Sequence, residues 1–455
     1  MQVTIVGTGY VGLVTAIVFA KKGVHVNCVD IDQEKIDLIN SGKLPIYEEG
    51  LQELFNEVRA NGTFKATRNL YKSVEKSEIV FICVGTPSRN NGSVDLKFIK
   101  KVSAQIGKAI SKTSDYKIIV VKSTVPPETT KYIVAPIIEK YSGKKTGVDF
   151  GLGMNPEFLR EGKAVVDTLY PDRIVVGGLT EKETSKLADF YSGVYPGVDL
   201  IKTNTTTAEA TKYAANAFFT LLISYANEWA KLTETFNDKA DVMDVLNGVY
   251  LDKRICPITE EGKRIRPGLI TYLVPGCGFG GSCFPKDTKA LNYFAKTKSE
   301  PMQLVRDIIA INEKRAGDVV KLLEKNTGAL TGKKIALLGL AFKPDTDDVR
   351  DSPALKIIEL LKNKGAVVYA HDPIAGENAK KMNLGVKIVD SVEEVLKDAE
   401  GAIVVTAWKQ YREIPEAVYK QLMKQAIVLD CRRILNPRAF TNLTYLGVGV
   451  SNGKK

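Results

Sequence analysis

Val3-Thr4-Ile5-Val6-Gly7-Thr8-Gly9-Tyr10-Val11-Gly12 runs an apolar strand into a glycine turn, and an apolar helical stretch, Leu13 to Ala20, follows directly. A second apolar run, Val24 to Val29, ends at Asp30. This strand–GxGxxG–helix–strand–acid order is the one that holds a dinucleotide. Gly7 makes the tight turn, Gly9 lets a pyrophosphate approach the backbone, and Gly12 lets helix and strand pack closely. Tyr10 and Val11 complete the loop. The helix N-terminus then offers its unpaired N–H groups and positive dipole end to phosphate. Asp30 is placed to accept from the adenosine ribose hydroxyls. A carboxylate there repels a 2′-phosphate, so NAD is expected over NADP.

Strands and helices go on alternating. Apolar runs at Glu78 to Val84, Tyr116 to Val121, Phe150 to Met154 and Arg173 to Val176 each end in a polar turn. In a doubly wound sheet, ligands collect outside the carboxyl ends of the strands. Thr86, Thr124, Glu157 and Glu161 follow such ends. A long helix is predicted next, opened by a capping box at Thr206-Thr207-Ala208-Glu209 and running to about Phe236. Ala214, Ala217, Phe218, Leu221, Leu222 and Tyr225 read as its core-facing set. Lys212, Asn216, Thr220 and Ser224 recur every four residues on another stripe, which is either a solvated face or a line into a cleft between domains. After about residue 330 a second α/β unit begins, with strands at Lys333 to Leu338, Val367 to Ala370, Ala402 to Thr406 and Ile427 to Asp430; its first turn lacks the GxGxxG pattern. The tail from Gly449 reads as loose. The expected fold is therefore α/β: two Rossmann-like parallel-sheet domains joined by a central helical region with one long helix. The expected divisions are 1–200, 201–325 and 326–455.

Gly278-Phe279-Gly280-Gly281-Ser282-Cys283-Phe284-Pro285-Lys286-Asp287 carries the chemistry. A thiolate is the nucleophilic form of cysteine, and a thiol of ordinary pKa, ~8.5, needs electropositive company to reach it at neutral pH. Lys286 supplies such a charge, and Asp287 is suited to move protons or orient a water. The glycines let backbone N–H groups close on a ligand.

The 455 residues suffice for two or three domains with real cores. Sixty-four basic against 53 acidic residues give a formal charge of +11 without a basic block interleaved with aromatics, so nucleic acid is not the expected partner. Cys28, Cys83, Cys256, Cys277, Cys283 and Cys431 form no CxxC pair and fit a reduced compartment better than a disulfide framework. With only two histidines, His25 and His371, neither a histidine metal site nor a histidine base is expected, and no metal is invoked. No run approaches the ~18–20 apolar residues of a membrane span. The expectation is a cytoplasmic protein with no membrane partner.

The chain resembles the UDP-glucose/GDP-mannose dehydrogenase family over nearly its whole length. The resemblance rests on GTGYVG at 7–12, VGTP at 84–87, KSTVPP at 122–127, NPEFLREG at 155–162, PDRIVVGG at 171–178, KYAANAF at 212–218, GFGGSCFPKD at 278–287 and AFKPDTDDVRDSP at 341–353. It implies a four-electron oxidation of a primary alcohol to a carboxylate with two NAD+, here UDP-glucose to UDP-glucuronate, through a thiohemiacetal and a thioester on Cys283. Lys212 and Asn216 would stabilise the oxyanions. Asp287 would serve water or proton transfer. Glu161 and Thr124 would hold the catalytic water, with Glu157 a second candidate carboxylate. Lys35, Thr86, Thr124, Glu161, Lys286 and Arg350 would touch NAD beside the glycine loop and Asp30. The sugar nucleotide would meet Glu157, Phe158, Leu159, Arg160, Glu161, Lys212, Asn216, Tyr272, Leu273, Val274, Pro275, Gly276, Gly280 and Lys343. A homodimer through the central helix is expected.

One region departs from the family pattern. Asp252-Lys253-Arg254-Ile255-Cys256 is followed by an apparent insertion from Pro257 to about Ile270. In the family, an arginine of this segment reaches the neighbouring subunit's sugar nucleotide. Arg254, Arg264 and Arg266 all remain candidates. Cys277 reads as a packing residue. Two rival functions stand beside the first. One is a UDP-N-acetylhexosamine or GDP-mannose dehydrogenase with the same mechanism. The other is a non-catalytic NAD or nucleotide-sugar sensor, which predicts loss of the nucleophile.

Overall fold

The structure is a computed structural model and describes residues 1–452. The chain divides into two contact units, Met1–Ala215 and a second from Asn216 onward. The first is built on an eight-stranded sheet. In chain order its strands are β1 (Gln2–Val6), β2 (His25–Val29), β3 (Phe64–Thr67), β4 (Ile79–Ile82), β5 (Ile118–Val121), β6 (Gly151–Met154), β7 (Ile174–Gly178) and β8 (Leu200–Asn204). They lie side by side as β3-β2-β1-β4-β5-β6-β7-β8. All neighbours are parallel except β6 and β7, which run antiparallel; that turn-about was not visible in two apolar runs of equal character. Val3, Ile5, Val80, Phe81, Ile119 and Val120 are buried. Helices cover both faces, so the central strands read as continuous apolar runs. Phe19 of the first helix packs edge-on against Phe81 and Phe190 at 5.6 and 5.4 Å.

The strand order reverses between β1 and β4, the point where such sheets bind ligands. The glycine turn after β1 and Val84-Gly85-Thr86 after β4 both open there. A Cβ on Gly12 would lie 2.0 Å from the carbonyl oxygen of Gly7, and one on Gly7 would lie 2.6 Å from that of Cys83. These two glycines are required by protein packing alone.

The second unit holds a six-stranded sheet of β10 (Lys334–Leu338), β11 (Val367–His371), β12 (Lys387–Val389), β13 (Gly401–Val404), β14 (Ile427–Asp430) and β15 (Thr444–Gly447). The order is β12-β11-β10-β13-β14-β15, parallel throughout. It repeats the plan of the first sheet down to the acid after its second strand. Asp372 accepts hydrogen bonds from the N–H groups of Leu340 (2.7 Å) and Ala341 (2.9 Å), in the turn after β10. It accepts three more, from Ile374, Ala375 and the Trp408 indole. Its oxygens are consumed in holding the turn.

The strands missed by periodicity are mostly short edges. β3 (Phe-Lys-Ala-Thr) and β8 (Leu-Ile-Lys-Thr-Asn) expose every other residue or more and carry polar side chains, as edges that must not recruit further strands do. The expected loose tail is ordered as far as Asn452. β16 (Val450–Asn452) pairs antiparallel with β9 (Lys239–Asp241), and Gly449 donates its N–H to Glu234. Residues 453–455 of that expectation lie outside the described residues.

The long helix spans Thr205–Thr233. Its cap is Asn204, whose side chain accepts from the N–H of Thr207 at 2.9 Å, not the box predicted at Thr206. Glu209 turns instead to Thr130, accepting from its N–H and its hydroxyl at 2.7 Å each. Of the two readings of the polar stripe the solvated one fails, and part of the expected core-facing set is exposed instead. Lys212, Asn216, Thr220 and Ser224 are 4, 6, 0 and 1 % exposed, while Phe218 and Tyr225 are 49 and 40 % exposed. The polar stripe is the buried one.

Candidate active site

In the first unit, the turn after β1 forms a cradle. Gly9 caps the helix Tyr10–Lys21 with no side chain over the end, and a Cβ there would meet nothing within 4 Å. That open approach to bare N–H groups suits a pyrophosphate. Asp30 closes the cradle. Its Oδ2 accepts from the N–H and hydroxyl of Thr8, both at 2.7 Å, and its Oδ1 accepts from the N–H of Asp32 at 3.0 Å. Burial pushes this carboxyl upward, but the Thr8 and Asp32 hydrogen bonds and the charge of Lys35 outweigh it and hold the group below the usual aspartate range. Unlike Asp372, Asp30 keeps accepting capacity on Oδ1 for a ribose. Lys35 stands 4.0 Å from Asp32. These residues fit NAD.

Glu157 and Lys212 meet in a buried ion pair of 3.0 Å. The nearest acid in the sequence, Glu209, three residues earlier, is taken by Thr130 instead, so local spacing does not reveal the partner of Lys212. Glu157 Oε2 also accepts from the N–H of Leu159 at 2.8 Å, which locks the turn after β6. The guanidinium of Arg173 and the ammonium of Lys212 both lie over the Phe158 ring, at 4.1 and 5.5 Å. Arg160 is exposed and pairs with Asp167 at 2.6 Å. Beneath this turn, Lys122 donates to Asn155 Oδ1 at 2.7 Å, Tyr191 donates to the same oxygen, and the Asn155 amide donates to the carbonyl of Val175 at 2.8 Å. Burial is the main reason the Lys122 ammonium is held below the usual lysine range, against the opposing pull of Cys83 and Glu157. A pocket lined by Lys122, Asn155, Glu157, Phe158 and Tyr191 opens here.

Glu48 was missed. Its carboxylate accepts from the N–H groups of Gly162 (2.8 Å) and Ala164 (2.6 Å), and from the Tyr10 hydroxyl. It thereby couples the nucleotide turn to the loop carrying Glu157 and Glu161. The one available signal was an acid in Pro45-Ile46-Tyr47-Glu48-Glu49-Gly50, a stretch without periodicity. Thr86 follows the end of β4, at the reversal of strand order, and Thr124 the end of its neighbour β5.

In the second unit, Cys283 is exposed and caps the helix Phe284–Thr297, while the other five cysteines are buried; none forms a disulfide. A thiol at a helix N-terminus is biased toward its thiolate. Asp287, in the first turn, is buried. Its Oδ2 accepts from the Asn216 side-chain amide at 2.6 Å, and Lys286 pairs with its Oδ1. The long helix thus delivers Asn216 to the cysteine helix and Lys212, one turn earlier, to Glu157.

The glycines of the cysteine loop have protein neighbours rather than only a ligand to admit. A Cβ on Gly280 would lie 2.3 Å from the Asp351 carbonyl oxygen, and one on Gly281 2.8 Å from the Phe342 ring. Gly281 donates its N–H to the carbonyl of Arg350 at 3.0 Å. The 278–287 and 341–353 motifs therefore meet, bringing Lys343 beside the loop. Arg350 is exposed and pairs with Asp348 at 2.8 Å. Tyr272 stacks on Phe219 at 4.4 Å, and the carbonyl of Leu273 accepts from the Tyr250 hydroxyl. In the insertion, Arg264 donates to the carbonyls of Leu251 (2.7 Å) and Cys256 (3.0 Å), so it holds its own loop. Arg254 is exposed and pairs with Asp252, two residues away. Arg266 is exposed.

Among the described residues no helix is long and apolar enough to cross a membrane, and no group of acids, cysteines and histidines could hold a metal ion.

The NAD binding domain of the UDP-glucose/GDP-mannose dehydrogenase family matches residues 1–195, its central domain 206–314 and its UDP binding domain 336–437. UDP-glucose 6-dehydrogenase TuaD of Bacillus subtilis is 39% identical over 437 residues, covering 96% of this chain and 90% of that protein. UDP-glucose 6-dehydrogenase of Rickettsia felis is 38% identical over 456 residues, covering 99% of this chain and 96% of that protein. A UDP-glucose dehydrogenase structure from Pyrobaculum islandicum superposes with a TM-score of 0.89 at 36% identity, covering 98% of this chain and 97% of that one. With a nucleotide cradle, a thiol at a helix N-terminus and all three domains of one family in order, this chain belongs to the UDP-glucose/GDP-mannose dehydrogenase family and is an NAD-dependent oxidoreductase.

Proposed function

We propose that this enzyme oxidises UDP-glucose to UDP-glucuronate, consuming two NAD+ and one water, with Cys283 as the covalent nucleophile. The observation that carries the reading is the exposed Cys283 thiol at a helix N-terminus with Lys286, Asp287 and Asn216 bound together behind it. Residues 1–200 would hold NAD, 201–325 the catalytic cysteine and 326–455 the uridine diphosphate.

Gly7 to Gly12, Asp30, Lys35, Thr86, Thr124 and Glu161, with Lys286 and Arg350, would hold NAD+, which when bound would supply the hydride acceptor for each of the two oxidations. As the alcohol becomes an aldehyde, hydride leaves carbon 6 and the 6-hydroxyl gives its proton to a base. The Cys283 sulfur adds to the aldehyde as a thiohemiacetal, so the aldehyde is never released. The second oxidation makes a thioester. Water adds, the C–S bond breaks, and the thiol and a carboxylate are restored. Both adducts pass through oxyanions, for which Lys212 and Asn216 are a cation and an amide donor on successive helical turns. Asp287 transfers the proton of the attacking water, with Thr124, Glu161 and Glu157 ordering it. The sugar nucleotide is met by residues 157–161 and 272–276, Gly280, Lys343 and Arg254.

The exposed Phe218, Tyr225 and Leu232 on the long helix support the proposal of a homodimer formed through it. A cytoplasmic location follows from the same reading, since both cosubstrates are cytoplasmic metabolites. NADH release measured with UDP-glucose, UDP-N-acetylglucosamine, UDP-N-acetylmannosamine and GDP-mannose tests the substrate. UDP-glucose should give the highest kcat/KM; a higher value for any other sugar would reassign the enzyme within its family.

A further inference from the structure

Between Phe279 and Cys283 lie only Gly280, Gly281 and Ser282. Two glycines in three residues leave the direction of the thiol almost unconstrained by local conformation, so something outside the loop must set it. The helix Gln303–Thr327 supplies that support. The side-chain oxygen of Asn312 accepts from the N–H of Phe279 at 2.8 Å, and its amide donates to the carbonyl of the same residue at 3.1 Å. A carboxamide offers a donor and an acceptor in one fork, and here the fork grips both polar groups of one backbone position. Gly278, at φ +104, is the glycine that makes room: a Cβ there would lie 2.7 Å from Asn312 Oδ1.

One turn later on the same helix, the buried Arg315 donates to the carbonyl of Gly276 through Nε (3.1 Å) and Nη2 (3.0 Å). The N–H of Gly276 is taken by Asn227 Oδ1 at 2.8 Å. The loop is thus fixed at Gly276 and Phe279 before it reaches the reactive residue. Of these two grips the second is the nearer to Cys283, upstream of the Gly281 N–H bond to the Arg350 carbonyl (3.0 Å), and it depends on a single side chain.

We propose that Asn312 is a positioning residue for the Cys283 nucleophile: by clamping Phe279 it holds the thiol at the N-terminus of the cysteine helix. This rests on the reading of Cys283 as nucleophile. A displaced loop would leave the sugar nucleotide's contacts at residues 157–161, 272–276 and Lys343 in place but move the sulfur off its line of attack and away from the helix end that favours its thiolate.

The test uses the full chain with Asn312→Ala and Asn312→Asp. For each, kcat, KM for UDP-glucose, melting temperature and the pH profile of iodoacetamide alkylation are measured. Cys283 is the exposed cysteine, so alkylation of the folded protein reports on it. Asn312→Ala should lower kcat by about 10- to 100-fold, the size expected of a misplacement of about 1 Å. KM for UDP-glucose should stay within about threefold of wild type. Alkylation should slow at neutral pH, with its midpoint moved upward. Asn312→Asp restores the donor only when protonated, so its activity relative to wild type should rise toward acid pH. This holds even if Asn312→Ala does not fold. A kcat for Asn312→Ala within about twofold of wild type, or an unchanged alkylation profile with a flat activity ratio for Asn312→Asp, would overturn the proposal. Cys283→Ser separates the two claims. Turnover in Cys283→Ser removes the nucleophile itself, whereas loss of turnover there with normal Asn312 variants removes only the positioning role.

Discussion

The ammonium of Lys212 lies 3.0 Å from Glu157 Oε1, and both side chains are nearly inaccessible to water. Lys212 is one half of a buried ion pair, which sets what its removal should do. Deleting one partner of such a pair leaves the other buried and uncompensated, at about 3–5 kcal/mol. Lys212→Met should therefore lower the melting temperature as well as kcat, the latter by roughly a hundredfold or more if an oxyanion donor is lost. Adding Glu157→Gln should recover much of the stability and none of the activity. A single Lys212 variant as stable as wild type would show that the pair is not formed in solution.

Asp30 accepts from Thr8 and Asp32 yet retains capacity for a ribose hydroxyl. Asp30→Ala should relax the preference for NAD over NADP, measured as the ratio of the two kcat/KM values. An unchanged ratio would remove Asp30 as the ribose ligand.

Glu209 gives a stability term with a defined sign. Burial is the largest effect on its carboxyl and raises it from 4.5 to about 7, although Thr130 donates to it twice. Its second oxygen has no hydrogen-bond partner among the described residues. The folded state therefore holds its proton more tightly than the unfolded chain does. That contribution is complete below 4.5 and is lost as pH rises through about 7. Glu209→Gln should flatten the fall in stability over this window. Denaturant titrations of both proteins at several pH values check it, and parallel curves would contradict it.

Arg254, just before the insertion, and Arg264, inside it, should behave differently. Arg264 holds two backbone carbonyls of its own segment, so Arg264→Ala should speed proteolysis between 257 and 270 before it alters substrate affinity. Arg254 sits on the surface beside Asp252. Arg254→Ala should raise KM for UDP-glucose by about tenfold, a loss of 1.4 kcal/mol, with the melting temperature unchanged. Equal effects of the two variants on KM would leave the substrate arginine unassigned.

What could be read in advance was whatever depends on short-range pattern. The run from Val3 to Asp30 contains its own strand, turn, helix and acid, and the cysteine loop announces itself by composition. Features set by distant contacts were not legible. Glu48 acts on Gly162 and Ala164 across more than a hundred residues; Asn312 acts on Phe279 from a helix of unremarked pattern. The long helix misled because its polar stripe is the buried one. Lys212 and Asn216 face Glu157 and Asp287 inside the protein, while Phe218 and Tyr225 face outward. A rule that places only apolar residues inside fails for a helix that buries a polar stripe beside Ala208, Tyr213, Ala226 and Ala230 and whose outer face is proposed to meet a second subunit.

The central claim is that Cys283 carries the substrate through its second oxidation. It is tested most directly by following NADH from Cys283→Ser with UDP-glucose and NAD+. A hydroxyl at its ordinary pKa is a far poorer nucleophile than a thiol. Steady turnover should be abolished, with a covalent or aldehyde-stage species left on the enzyme. Steady NADH production within a few-fold of wild type would contradict the account.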